Sequence, residues 1–143
     1  MAAMESSQPV SAPSCKAILL CNKTILEAGT GNVTLVGIFT HIALSKIPGE
    51  TDAFECFLQF TDAEGRYDLV VEIHDQVQQR IIARATGPAI NVPHRLTYAN
   101  VMIPIPPLPI KHPGAYDFVV LANGDEIDRQ QFQVIDSEED EGE

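Results

Sequence analysis

Residues 54–74 read Phe54-Glu55-Cys56-Phe57-Leu58-Gln59-Phe60-Thr61-Asp62-Ala63-Glu64-Gly65-Arg66-Tyr67-Asp68-Leu69-Val70-Val71-Glu72-Ile73-His74. Phe54, Cys56, Leu58 and Phe60 alternate with Glu55, Phe57, Gln59 and Thr61. After Asp62-Ala63-Glu64-Gly65 the alternation resumes, with Tyr67, Leu69, Val71 and Ile73 on one side and Arg66, Asp68, Val70, Glu72 and His74 on the other. Successive side chains of a strand point to opposite faces, so a strict period of two describes half-buried strands. The four-residue connector predicts a hairpin with Thr61 opposite Arg66 and Phe60 opposite Tyr67. That register sets Glu55 opposite Glu72 and Phe57 opposite Val70, with His74 at the end of the row.

Outward from this stretch the chain continues as strands and turns. Residues 16–27 and 33–44 are rich in Ile, Leu, Val and Thr and are joined by Ala28-Gly29-Thr30-Gly31-Asn32, a run suited to a turn. Residues 33–44 are apolar on both faces around Gly37 and read as a central strand with a bulge or a close backbone approach. A further strand spans 79–86 and ends at Gly87-Pro88. A longer one spans 94–105 and enters Pro104-Ile105-Pro106-Pro107-Leu108-Pro109, which is confined to an edge or a crossover because proline has no N–H to donate. Asn123-Gly124 predicts a two-residue hairpin turn with Val120 facing Ile127. A bulge between Asp128 and Gln131 then brings Phe132 across from Tyr116. Tyr116 follows Pro113-Gly114-Ala115 as at the entry to a late strand of an immunoglobulin-like sandwich, where the phenol bonds back to nearby backbone.

No segment has a helical period with an N-cap. The expected fold is therefore all-β, an antiparallel, immunoglobulin-like β-sandwich of roughly eight strands, with a closed barrel as the alternative. The expected organisation is a disordered arm over residues 1–14, a sandwich domain over 15–135, and a disordered acidic tail over 136–143.

The motifs Lys16-Ala17-Ile18-Leu19-Leu20-Cys21, Leu35-Val36-Gly37-Ile38-Phe39, Asp62-Ala63-Glu64-Gly65-Arg66-Tyr67 and Pro113-Gly114-Ala115-Tyr116-Asp117-Phe118 resemble an uncharacterised bacterial family of small all-β proteins, a domain of unknown function. The resemblance covers residues 15–135. It implies a fold, and no substrate or catalytic residue.

Composition narrows the functional classes. The net charge is −11, and six acids fall in the last eight residues, leaving −5 over residues 1–135. No cluster of Lys and Arg is present to neutralise phosphates or an anionic bilayer, so neither nucleic acid nor membrane is an expected partner. The expected location is cytoplasmic, since the N-terminus lacks the basic start and long apolar run of a secretory signal. Cys15, Cys21 and Cys56 lack zinc-site spacing and read as buried thiols. His41, His74, His94 and His112 stand outside any nucleophile, HExxH or phosphate-loop motif. No enzyme activity, catalytic residue, metal or cofactor is expected. The two overlapping PxxP patterns interleave with Ile and Leu that suit packing better than display. The one candidate surface is the patch Glu55, Phe57, Val70, Glu72 and His74, where paired carboxylates could meet a cation or a basic partner. The functional expectation is a non-enzymatic protein-binding or assembly module, with an unknown protein partner or self-association. The alternatives are a small-molecule or carbohydrate binder and an enzyme with a dispersed site.

Overall fold

A computed structural model describes residues 12–94 and 96–137. Every element among them is a strand: β1 (Ser14–Leu26), β2 (Val33–Phe39), β3 (His41–Leu44), β4 (Gly49–Glu50), β5 (Phe54–Thr61), β6 (Gly65–Asp75), β7 (Arg80–Val92), β8 (Ala99–Ile105), β9 (Pro109–Ile110), β10 (Gly114–Ala122) and β11 (Asp125–Asp136). Among the described residues no helix is long and apolar enough to cross a membrane. The count exceeds the expected eight because β3, β4 and β9 are fragments of two to four residues. Most of the proposed N-terminal arm and acidic tail lies outside the described residues. At their inner ends Ser14 already pairs with Thr61 and Asp136 with Leu44, so the strands reach one residue further each way than the expected domain.

The strands form a four-stranded sheet, β2-β1-β5-β8, a five-stranded sheet, β3-β11-β10-β6-β7, and the small pair β4-β9. The ladders are antiparallel except β3 with β11, which is parallel, so the purely antiparallel expectation is corrected. One core joins the two larger sheets. Ile18, Leu20, Cys56, Leu58, Phe60, Val101 and Ile103 of the first meet Leu69, Val71, Ile73, Phe118, Val120, Phe132 and Val134 of the second.

The central correction concerns β5 and β6. Their inward residues are those the alternation selects, and all eight are buried. The two strands nevertheless do not pair: β5 lies between β1 and β8, while β6 lies between β10 and β7. The Asp62–Gly65 connector arches from one sheet to the other. Ala63 is buried beneath it, and the Tyr67 hydroxyl accepts from the Glu64 N–H and donates to the Glu64 carbonyl, both at 3.1 Å. Two half-buried strands satisfy the same alternation whether they share a ladder or face each other across a core, so parity alone cannot choose.

Other elements refine the reading in the same way. The 33–44 segment is not a central strand. It ends one sheet as β2 and, past Thr40, begins the edge of the other as β3. Gly37 has φ 70° and a backbone so close to the Asn22 side chain that a Cβ has no room. β7 runs through Gly87-Pro88 rather than stopping there. Two residues oppose Leu69 at that point, and an edge strand tolerates both bulge and proline. β8 begins at Ala99, after a turn in which the Thr97 N–H donates to the His94 carbonyl. In the C-terminal hairpin Asn123 and Gly124 both have positive φ, and Tyr116 pairs with Phe132 as expected. The bulge lies at Ile127, so Val120 faces Asp128.

Candidate functional site

The predicted patch divides between the sheets. Glu55 sits opposite Cys21 and Pro104. Its carboxylate accepts from the Thr24 N–H and, at 2.7 Å, from the Thr24 hydroxyl. It thus satisfies β1 backbone where β5 has ended, the accounting demanded of any unpaired N–H. Phe57 is flanked by Leu19 and Met102 and is buried. Val70, Glu72 and His74 stay together on the outer face of the other sheet, next to Leu121, Val119 and Asp117 of β10. There His74 Nε2 lies 2.9 Å from Glu72 Oε1, and Arg84 Nε lies 3.7 Å from Glu72 Oε2. The expected repulsion of Glu55 and Glu72 does not arise, because the arch puts the core between them.

What the patch loses, the β1–β2 hairpin gains. Beyond Cys21, β1 has β2 as its one ladder partner among the described strands, so residues 22–37 extend past β5 as a two-stranded ribbon. Its tip is fastened by Glu27, whose carboxylate accepts from Thr34 Oγ1 at 2.8 Å and Thr30 Oγ1 at 3.3 Å. The ribbon carries Ile25, Leu26 and Val36, exposed at 40, 61 and 44%, and Ile38, next along β2, is exposed at 54%. A two-stranded ribbon is marginal in water unless something covers it.

The four sheet edges are unequal. β7 carries Arg80, Arg84 and the Gly87-Pro88 bulge; β8 carries Pro104; β3 is four residues long. Charge, proline, bulges and brevity are the devices that keep an edge from recruiting another strand. β2, Val33-Thr34-Leu35-Val36-Gly37-Ile38-Phe39, has seven residues and neither charge nor proline. Among the described strands of the two larger sheets it is the edge left open. The sequence signal was present, since residues 33–39 are visibly without gatekeepers, but the same composition describes a central strand.

Beside this edge lies a cavity of about 340 Å³. It is lined by Ile38 and Phe39 at the end of β2, Ile42 of β3, and Glu50, Asp52 and Phe54 from the opposite wall. That wall is held from behind. The Thr51 N–H donates to the Leu108 carbonyl and Thr51 Oγ1 accepts from the Leu108 N–H, both at 3.0 Å. Phe39 and Phe54 meet edge to face at 5.3 Å between ring centroids and form the apolar floor.

A second group of ionisable residues, which sequence reading did not assemble, lies at the far end of β6. Asp75, 2% exposed, accepts from the Val77 and Gln78 N–H groups at 2.9 and 3.0 Å. Its other oxygen is 2.7 Å from His112 Nε2, and His112 Nδ1 is 3.0 Å from the Pro113 carbonyl oxygen. Both ring nitrogens thus face acceptors, the arrangement of an imidazolium that donates twice. The Pro113 carbonyl and then Asp75 hold the His112 pKa above its ordinary value. Burial opposes the Asp75 charge, but the Gln78 N–H, His112 and the Val77 N–H outweigh it and hold that pKa low. With no free lone pair, His112 is poorly placed to act as a base. The pair ties the β6–β7 turn to the loop before β10, where Tyr116 Oη donates to the His112 carbonyl at 2.6 Å. On the outer face, Arg129 grips Glu126 with two bonds of 2.7 and 2.8 Å and Asp117 with one of 2.8 Å. Among the described residues no three His, Cys, Asp or Glu are grouped to hold a metal ion.

Comparison with known proteins adds fold and family. An alkylpurine DNA glycosylase from Pseudomonas fluorescens, AlkC, solved bound to DNA containing an abasic site analog, is similar over 92% of this chain with a TM-score of 0.52 and 10% identity. The chain spans about a third of that protein, 33%. A beta-glucosidase from Listeria innocua in complex with glucose aligns with a TM-score of 0.44 and 12% identity, over 83% of this chain and 16% of that one. The CARDB domain of a Pyrococcus furiosus protein in complex with di-metal ions aligns at 0.38 and 7% identity, over 90 and 94%. At such identities the glycosylase likeness speaks for the fold alone. None of the curated proteins matches the sequence. A family model described as "Family of unknown function (DUF6941)" matches residues 16–135. Spanning the two sheets nearly end to end, that match shows that the chain belongs to this family of unknown function.

Proposed function

We propose that the chain is a non-enzymatic, cytoplasmic protein-binding module that takes up a strand of its partner along β2. The observation that carries this reading is the unguarded edge: seven residues without charge or proline, beside which Ile25, Leu26, Val36 and Ile38 of β1 and β2 stand exposed among the described residues. Strand addition supplies affinity through main-chain bonds and specificity through alternate side chains. The net charge of −11 disfavours nucleic acid and anionic membranes as partners. We also read the two sheets as an immunoglobulin-like sandwich. Tyr116 bonding back to the His112 carbonyl at the entry to β10 matches the tyrosine corner of that architecture, and β10 lies between β11 and β6.

The test is site-specific photo-crosslinking in lysate of the native host. A benzophenone side chain at Val36 should give a discrete adduct that disappears when Ile38 is changed to Lys. The same group at Thr86, on the guarded edge β7, should give none. Equal labelling from both positions, or none from Val36, overturns the reading.

A further inference from the structure

We infer that the segment received by β2 is extended and basic, alternating apolar residues with Lys or Arg, one of which sits in the cavity beside the strand. This rests on the reading of β2 as a docking edge and adds the chemistry of the occupant. Three features of the cavity support it. Its walls are apolar where Phe39, Ile42 and Phe54 line it, and acidic where Glu50 and Asp52 do; among the described residues the lining holds His41 and no Lys or Arg. A long basic side chain suits such a site, laying its aliphatic stem on apolar surface and holding its charge at a polar rim. The cavity also adjoins the edge itself, since Gly37, Ile38 and Phe39 belong both to its lining and to β2. A strand laid along β2 therefore passes its mouth. Finally, the acidic wall is pre-set by the Thr51–Leu108 bonds, so little ordering remains to be done on binding.

The field of the whole chain acts in the same direction. A net charge of −11 steers a basic segment inward and opposes a second copy of this chain. Pairing β2 with its own copy would add more acid beside Glu50 and Asp52, with His41 as the one basic side chain among the described lining residues.

The probes are fluorescein-labelled ten-residue peptides titrated with the full chain and read by anisotropy. One alternates Val and Lys, one alternates Val and Glu, and a third is the Val/Lys peptide N-methylated at every second amide. The Val/Lys peptide should bind at least tenfold more tightly than the Val/Glu peptide, an advantage that shrinks as salt rises. The double change Glu50→Gln with Asp52→Asn should weaken it about three- to tenfold, the scale of two partly exposed ion pairs, while Glu64→Gln leaves it unchanged. Equal binding of the Val/Lys and Val/Glu peptides, or no effect of the double change, overturns the basic occupant and leaves the β2 edge standing. Failure of all peptides, with a Val36 crosslink of one chain to another chain of the same kind, makes a second copy the occupant and also overturns it. Undiminished binding of the N-methylated peptide removes the ladder, and the docking-edge reading falls with it.

Discussion

Changing Asp75 to Asn probes the tie between β6 and the loop before β10 at a single atom. The amide oxygen can still accept from the Val77 and Gln78 N–H groups, while the amide nitrogen takes the place of the oxygen that faces His112 Nε2 at 2.7 Å. Two donors then oppose each other unless His112 gives up a proton. A hydrogen bond between charged partners contributes about 1.5 to 3 kcal/mol. The His112 side chain is 21% exposed, which argues for the lower end, so the expected loss at pH 5.5 is about 1.5 kcal/mol. With a urea slope of about 1.5 kcal/mol per M, the unfolding midpoint falls by about 1 M.

The loss should depend on pH in a stated direction. His112 is raised above 6.5 in the folded chain, so the fold binds the extra proton and gains stability that is complete below pH 6.5. That gain is lost as pH rises through the higher folded value. Asp75 is lowered from 3.8, so its contribution is complete above pH 3.8 and is lost only as acid carries the solution below its folded value. In the Asn variant a neutral His112 keeps its Nδ1–H bond to Pro113 and accepts the new amide proton at Nε2. The gap between the two proteins should therefore close to within about 0.5 kcal/mol by pH 8.5. The assay is paired urea unfolding of wild type and variant at pH 5.5, 7 and 8.5, in which the other histidines cancel. A gap of the same size at all three values would refute the doubly donating imidazolium.

Three further outcomes follow from the fold. Ala63→Asp puts a carboxylate under the β5–β6 arch and should cost at least ~3 kcal/mol by thermal melting, whereas at the solvated tip of a hairpin it would cost under ~0.5 kcal/mol. Tyr116→Phe removes the bond to the His112 carbonyl from a buried ring and should cost about 1 to 2 kcal/mol in urea unfolding. Burial pushes the Cys15 thiol up to about 11 and raises Cys21 and Cys56 as well, so a disulfide reagent at pH 8 should label the native chain slowly at one site at most, and all three thiols promptly in guanidinium.

The faces of the strands were legible in the sequence, and their neighbours were not. Alternation marked Phe54, Cys56, Leu58, Phe60, Tyr67, Leu69, Val71 and Ile73 as inward, and all are core. Alternation records only that one side of a strand avoids water. Asp62-Ala63-Glu64-Gly65 has turn chemistry equally suited to a tight hairpin and to an arch, so the partner of β5 stayed open. Asn123-Gly124 was decisive because both residues must take positive φ, a demand few other sequences meet. The Asp75–His112 tie joins residues 37 apart through a turn and a loop, and neither segment has a period that would bring them together.

The edge position of residues 33–44, where their composition predicts a central strand, bears on the proposed docking. A central strand is apolar on both faces and free of charge and proline because a neighbour on each side completes its ladder. An edge strand facing water alone is ordinarily marked by the opposite traits, as β7 and β8 are here. β2 has the sequence of the first and the position of the second. Were the free chain its only working state, a lysine in place of Val36 or Ile38 would guard the edge at little cost to the core, since both side chains already face water. Apolar residues at these positions make physical sense under the proposed docking, in which β2 becomes interior when a partner strand lies along it and the carboxylates beside it meet a basic side chain.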